Sequence, residues 1–186
     1  MPHLSAPLAD PLLRRRLRRL AHVVHALIVL GAVIFVGGEA WNWSTPEHAL
    51  EMIRRRSEAP TTQLAPGVQL EAALVSLVPL AVSLMAMWRL WGVFAEYAQG
   101  RVFSQRALTC LRGFARWLMV DAVLSPFYGA ALSVIASWHN GPGKRTLSLE
   151  VSSSDYTQLL FGLVVLAICT VMVEAARVAE DNEGFV

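Results

Sequence analysis

Of the 186 residues, 55% are hydrophobic and 16% carry charge, against roughly 25% charged in soluble domains, and the formal net charge is only +2. That balance excludes an ordinary water-soluble domain, and it offers no global positive field for direct contact with nucleic acid. The two cysteines, Cys110 and Cys169, stand in neither CxxC nor Cys/His spacing, which argues against a structural disulfide and against a zinc centre.

The N-terminal tail carries Arg14, Arg15, Arg16, Arg18 and Arg19 and runs straight into an apolar stretch. Crossing about 30 Å of hydrocarbon takes about 20 helical residues. Four stretches reach that length, at about 20–43, 70–94, 114–138 and 156–178, so the whole chain, 1–186, reads as one membrane domain. In the first span the only ionisable groups are His22, His25 and Glu39. Gly38 and Ala40 imitate a signal-peptide cleavage site, but the run exceeds the ~7–15 residues of a signal core and three more spans follow. An uncleaved anchor is expected.

The segment after the first span predicts a short surface helix, with Thr45 as N-cap and Pro46 in its first turn. Arg54, Arg55 and Arg56 lie on it among Glu47, Glu51 and Glu58, and an irregular return through Pro60 and Pro66 follows. The second span contains Ser76, Pro79 and Ser83, and a proline is tolerated in a membrane helix whose neighbours satisfy the freed carbonyl. Beyond it, Gly100 suits a helix C-terminus and Ser104 the N-cap of the next helix. Leu108, Leu111 and Ala115 then fall on one stripe, away from Arg106, Arg112 and Arg116, which predicts a short interfacial helix before the third span.

The third span holds one acid, Asp121, and a row of small residues four apart: Ser125, Gly129, Ser133 and Ser137. Such rows allow close helix approach in lipid, within one chain or in a homodimer. After Gly141-Pro142-Gly143, the alternation of Leu147, Leu149 and Val151 with polar residues predicts a brief strand or hairpin. Ser153, Ser154 or Asp155 is then placed to cap the fourth helix, which is apolar from Leu159 to Val173 and ends at Glu174 and Arg177.

Arginine placement sets the orientation, because short loops rich in Lys and Arg stay cytoplasmic. Eleven of the sixteen basic residues lie on the side of both termini and five on the other, which predicts N-in and C-in. Trp41, Trp43 and Trp138 near outer ends, and Trp88 and Trp91 near an inner end, suit interfacial anchors.

Ionisable groups at membrane depth normally face other helices and find partners. His22, His25, Asp121, Glu174 and Arg177 therefore form a candidate polar cluster, with an interhelical hydrogen bond or ion pair as its expected chemistry. Two carboxylates and two imidazoles could also bind a metal or relay protons, and an ion-, proton- or metal-handling protein is the alternative function. No cofactor is expected. Nor is an enzyme: there is no Ser/His/Asp order, HExxH or phosphate-cradling glycine loop.

Tyr97, Gly100, Val102-Phe103-Ser104 and Leu111-Arg112-Gly113 resemble a segment of the DUF2975 family of bacterial membrane proteins. The stretch from Phe161-Gly162-Leu163 through Glu174, Arg177, Glu180 and Asp181 to Val186 is similar to that family's ending, and the resemblance covers all four spans in order. It implies an all-α four-helix transmembrane bundle in the bacterial inner membrane and a non-enzymatic role. Some members are encoded beside a small helix-turn-helix regulator, which implies binding or restraint of a transcriptional regulator at the cytoplasmic face. The positions it marks for such a surface are Arg101, Phe103, Arg106 and Arg112, with Glu180, Asp181 and Glu183 of the tail.

Overall fold

The computed structural model describes residues 11–56, 66–138 and 145–183, with side chains to residue 175 of the last stretch. Among the described residues there are five helices and no strand: α1 (Pro11–Asn42), α2 (Pro46–Arg56), α3 (Pro66–Ala98), α4 (Gln105–Ser137) and α5 (Ser153–Glu183). Four of these, all but α2, are long and apolar enough to cross a membrane. A helix of 33 residues, as in α3 and α4, rises about 50 Å, so it outlasts the ~30 Å hydrocarbon layer.

Packing says the same about solvent. Only 6% of the apolar window of α1 is buried, and Leu27, Val33, Ile34, Val78, Phe127 and Val171 are all more than half exposed. Each such side chain left in water forgoes roughly 1.5–3 kcal/mol of burial energy, so their favourable surroundings are lipid. The protein is a multi-pass membrane protein.

The long helices are each shared between two compact units. One unit contains residues Val33–Ser83 and Val120–Leu159. Its core is Ile53 of α2 against Ala72 of α3 and Tyr128, Leu132 and Ala136 of α4, with Trp43 and Met52 alongside. The short helix forms as expected: the Thr45 hydroxyl accepts the His48 N–H at 3.3 Å, and Pro46 opens the first turn. Arg55 pairs with Glu51 one turn back. Ala49 and Ile53 are fully covered, so this helix is a packed part of the core and more than a surface feature.

Among the described residues of the segment where a brief strand or hairpin is expected, none is in a strand. Residues 145–152 have no regular structure, and their backbone finds partners in serine hydroxyls of α4. The Ser137 hydroxyl accepts the Thr146 N–H at 3.1 Å, and the Ser133 hydroxyl accepts the Ser148 N–H at 3.0 Å. A lone extended strand needs such acceptors, and here a helix edge supplies them. The turn residues 141–143 lie outside the described residues. Helix α5 is capped one residue earlier than expected: Ser152 and Asp155 exchange bonds, with the Asp155 N–H to the Ser152 hydroxyl at 3.2 Å and the Ser152 N–H to the Asp155 carboxylate at 2.8 Å. This is a capping box.

The other unit contains Met1–Ala32, Leu84–Met119 and Leu160–Val186. Here glycines set the spacing between helices. A Cβ on Gly92 of α3 would lie 2.7 Å from the Cys110 sulfur of α4, and one on Gly162 of α5 would lie 2.7 Å from Met119 Cγ and 3.2 Å from the Ala115 carbonyl. The helix expected before the third span runs straight on into it. Its residues are the first turns of α4, because 105–112 contain no breaker and extending a helix costs less than nucleating another.

Candidate functional site

The most elaborated polar structure lies at the turn 99–104 between α3 and α4. Helix α3 ends where Gly100 takes φ 78°, a conformation open to glycine and costly for other residues. The Gly100 N–H donates to the Tyr97 carbonyl at 2.9 Å and the Arg101 N–H to the Glu96 carbonyl at 3.1 Å. That pair of bonds is a Schellman motif. Helix α4 opens on Ser104, whose hydroxyl accepts the Ala107 N–H at 3.1 Å.

Glu96 joins the two caps. Its side chain is only 4% exposed. One carboxylate oxygen accepts Arg101 Nε at 2.8 Å and the Ser104 hydroxyl at 3.1 Å, and the other accepts Arg101 Nη2 at 3.1 Å. The bidentate fork gives the charge both partner and geometry. The same carboxylate raises the Arg101 pKa above its ordinary value, chiefly through these bonds, so Arg101 stays cationic. Arg106 approaches Glu96 only at 3.8 Å and is 79% exposed, while Phe103 is 46% exposed at the tip.

The four partner-surface candidates of this turn and the start of α4 therefore divide. Arg101 is committed to Glu96, Phe103 and Arg106 stand outward, and Arg112 is half-buried on α4. Glu180, Asp181 and Glu183, with Arg177, fall on the last turns of α5, where side chains lie outside the described residues. Glu96 itself is missing from the sequence-based set. Its signal is an acid four residues before a helix-terminating glycine, with an arginine next.

The candidate intramembrane groups are distributed between the two units. Asp121 accepts Gln158 Nε2 of α5 at 2.8 Å. His22 Nδ1 donates to the Arg18 carbonyl at 2.8 Å, and His25 Nε2 donates to the Trp91 carbonyl at 3.1 Å while its ring stacks on Trp91 at 3.9 Å. Carbonyls only accept, so those nitrogens carry the protons. Glu174 lies with the two histidines in one unit and Asp121 in the other. Among the described residues, no three His, Cys, Asp or Glu side chains gather as they would around a metal.

The small-residue row also divides. Ser133 and Ser137 are fully buried and hold the 146–148 backbone, whereas Ser125 and Gly129 are half-buried.

No curated protein and no solved structure matches the chain. Residues 55–185 match the family described as "Protein of unknown function (DUF2975)". The match takes in α3, α4 and α5 and the whole α3–α4 turn, but not α1, so it is shorter than the four-span resemblance. With more than two thirds of its length matched, this multi-pass membrane protein belongs to the DUF2975 family.

Proposed function

We propose that the protein is a non-enzymatic membrane protein that uses the α3–α4 turn as a cytoplasmic docking point for a partner, with a helix-turn-helix regulator as the partner class. The observation that carries this reading is a rigid turn with an aromatic and a cation at its exposed tip. Two helix caps and the Glu96 clamp fix the backbone, so Phe103 and Arg106 are presented without a backbone ordering cost on binding. An exposed Phe beside an Arg held only by a long contact to Glu96 matches the residue types enriched at protein interfaces. The excess of arginine on this side supports a cytoplasmic location.

A photo-crosslinking residue in place of Phe103 tests the proposal in intact cells. One protein adduct is expected, lost on Arg106→Glu and kept on Arg54→Glu. Lipid adducts alone, or an adduct indifferent to Arg106, would refute docking here. Phe103→Cys in oriented vesicles tests sidedness: an impermeant maleimide should label it only from the cytoplasmic side.

A further inference from the structure

We propose that the groove between α1, α3 and α4 is a binding site for one anionic phospholipid. The groove has a volume of about 940 Å³, toward the upper end of small-molecule sites. Its wall is apolar along Ile28 and Ala32 of α1 and Leu84, Met87 and Trp88 of α3, which lie on helix stretches that span the membrane. One end is polar, formed by Gln105, Arg106 and Thr109 of the first turns of α4. An apolar channel leading to a hydrogen-bonding end has the amphipathic order of a lipid.

Charge selects the headgroup. Arg89 and Arg106 line the groove, and no Asp or Glu does. Among the described residues Arg89 has no carboxylate partner, and Arg106 has only the long contact to Glu96 at 3.8 Å. The stem of Arg89 lies across α4 at Gly113, where a Cβ would stand 3.0 Å from its Cδ, so the absent side chain gives the arginine its path. A guanidinium in this position is costly in lipid unless an anion meets it, and a phosphate matches its fork of donors.

Native mass spectrometry of the intact protein, titrated with phosphatidylglycerol and with phosphatidylcholine of the same acyl chains, tests this. Wild type should retain one phosphatidylglycerol in preference to phosphatidylcholine. Arg89→Gln and Arg106→Gln should each reduce that preference roughly fivefold, the effect of one basic residue at an anionic membrane surface. Ala32→Phe should weaken retention of both lipids by filling the wall, with helicity and monodispersity checked separately. Equal retention of the two lipids by wild type would overturn the proposal, as would a preference unchanged in both arginine variants. Displacement of the bound lipid by millimolar inorganic phosphate would overturn it too, because the anion site would then belong to a soluble ligand.

Discussion

Replacing Gly100 with alanine puts a Cβ on a residue held at φ 78°. An L-residue in that region costs roughly 1–2 kcal/mol relative to the right-handed region. The backbone can escape only by giving up the Gly100-to-Tyr97 and Arg101-to-Glu96 bonds at 2.9 and 3.1 Å. Each is worth roughly 0.5–1.5 kcal/mol net, so rearrangement is no cheaper than strain. Gly100→Ala should therefore destabilise the protein by about 1–2 kcal/mol. Gly100→Asn should cost less, because asparagine visits this region readily, and Gly100→Val should cost more, because a β-branched residue is a true outlier there. Reversible unfolding of the three variants in mixed micelles gives the order, and hydrogen exchange at the Arg101 amide locates the effect. If all three lose the same stability, or if alanine stabilises, the left-handed cap is not what holds the turn.

Other outcomes follow from the packed serines and glycines. Ser137→Ala leaves the Thr146 amide without its acceptor, at roughly 1–3 kcal/mol, and exchange of that amide should accelerate at least tenfold while the Ser148 amide keeps its protection. Ser152→Ala removes half of the capping box on α5 and should cost about 1 kcal/mol, read from the unfolding midpoint, with Ser152→Thr close to wild type. Gly162→Leu must displace Met119 and presses on the Ala115 carbonyl, so a loss of roughly 1–3 kcal/mol is expected, whereas Gly37→Leu, with open space around it, should change stability little.

The long helices could be read from sequence because lipid demands about 20 apolar residues in a row, and that count needs no tertiary knowledge. The α2 helix and the Gly100 and Ser104 caps were equally readable, since each is local chemistry between residues at most five apart. Alternation at Leu147, Leu149 and Val151 says less: a period of two reports an extended chain, but a strand also needs a partner, and at Thr146 and Ser148 the serines of α4 accept the backbone N–H groups. The amphipathic start of α4 and its spanning part form one helix, because the two segments differ in surroundings and not in backbone. Glu96 was hidden because it sits in an apolar stretch as a single acid, and its worth depends on where the chain brings Arg101 and Ser104. The candidate polar cluster drew on depth alone, while the partners of Asp121 and His25 were set by which helix faces meet.

The Glu96 clamp bears on how cheaply the two helices it joins are held together. Only residues 99–104 separate α3 from α4, so bringing these two helices together costs little chain entropy, and both ends of the connection are already capped. The carboxylate carries its own counter-charge five residues away, so the turn closes as a neutralised unit. Helices α3 and α4 are thus joined by a turn whose polar groups are satisfied within it, and α5 approaches α4 closely at Gly162.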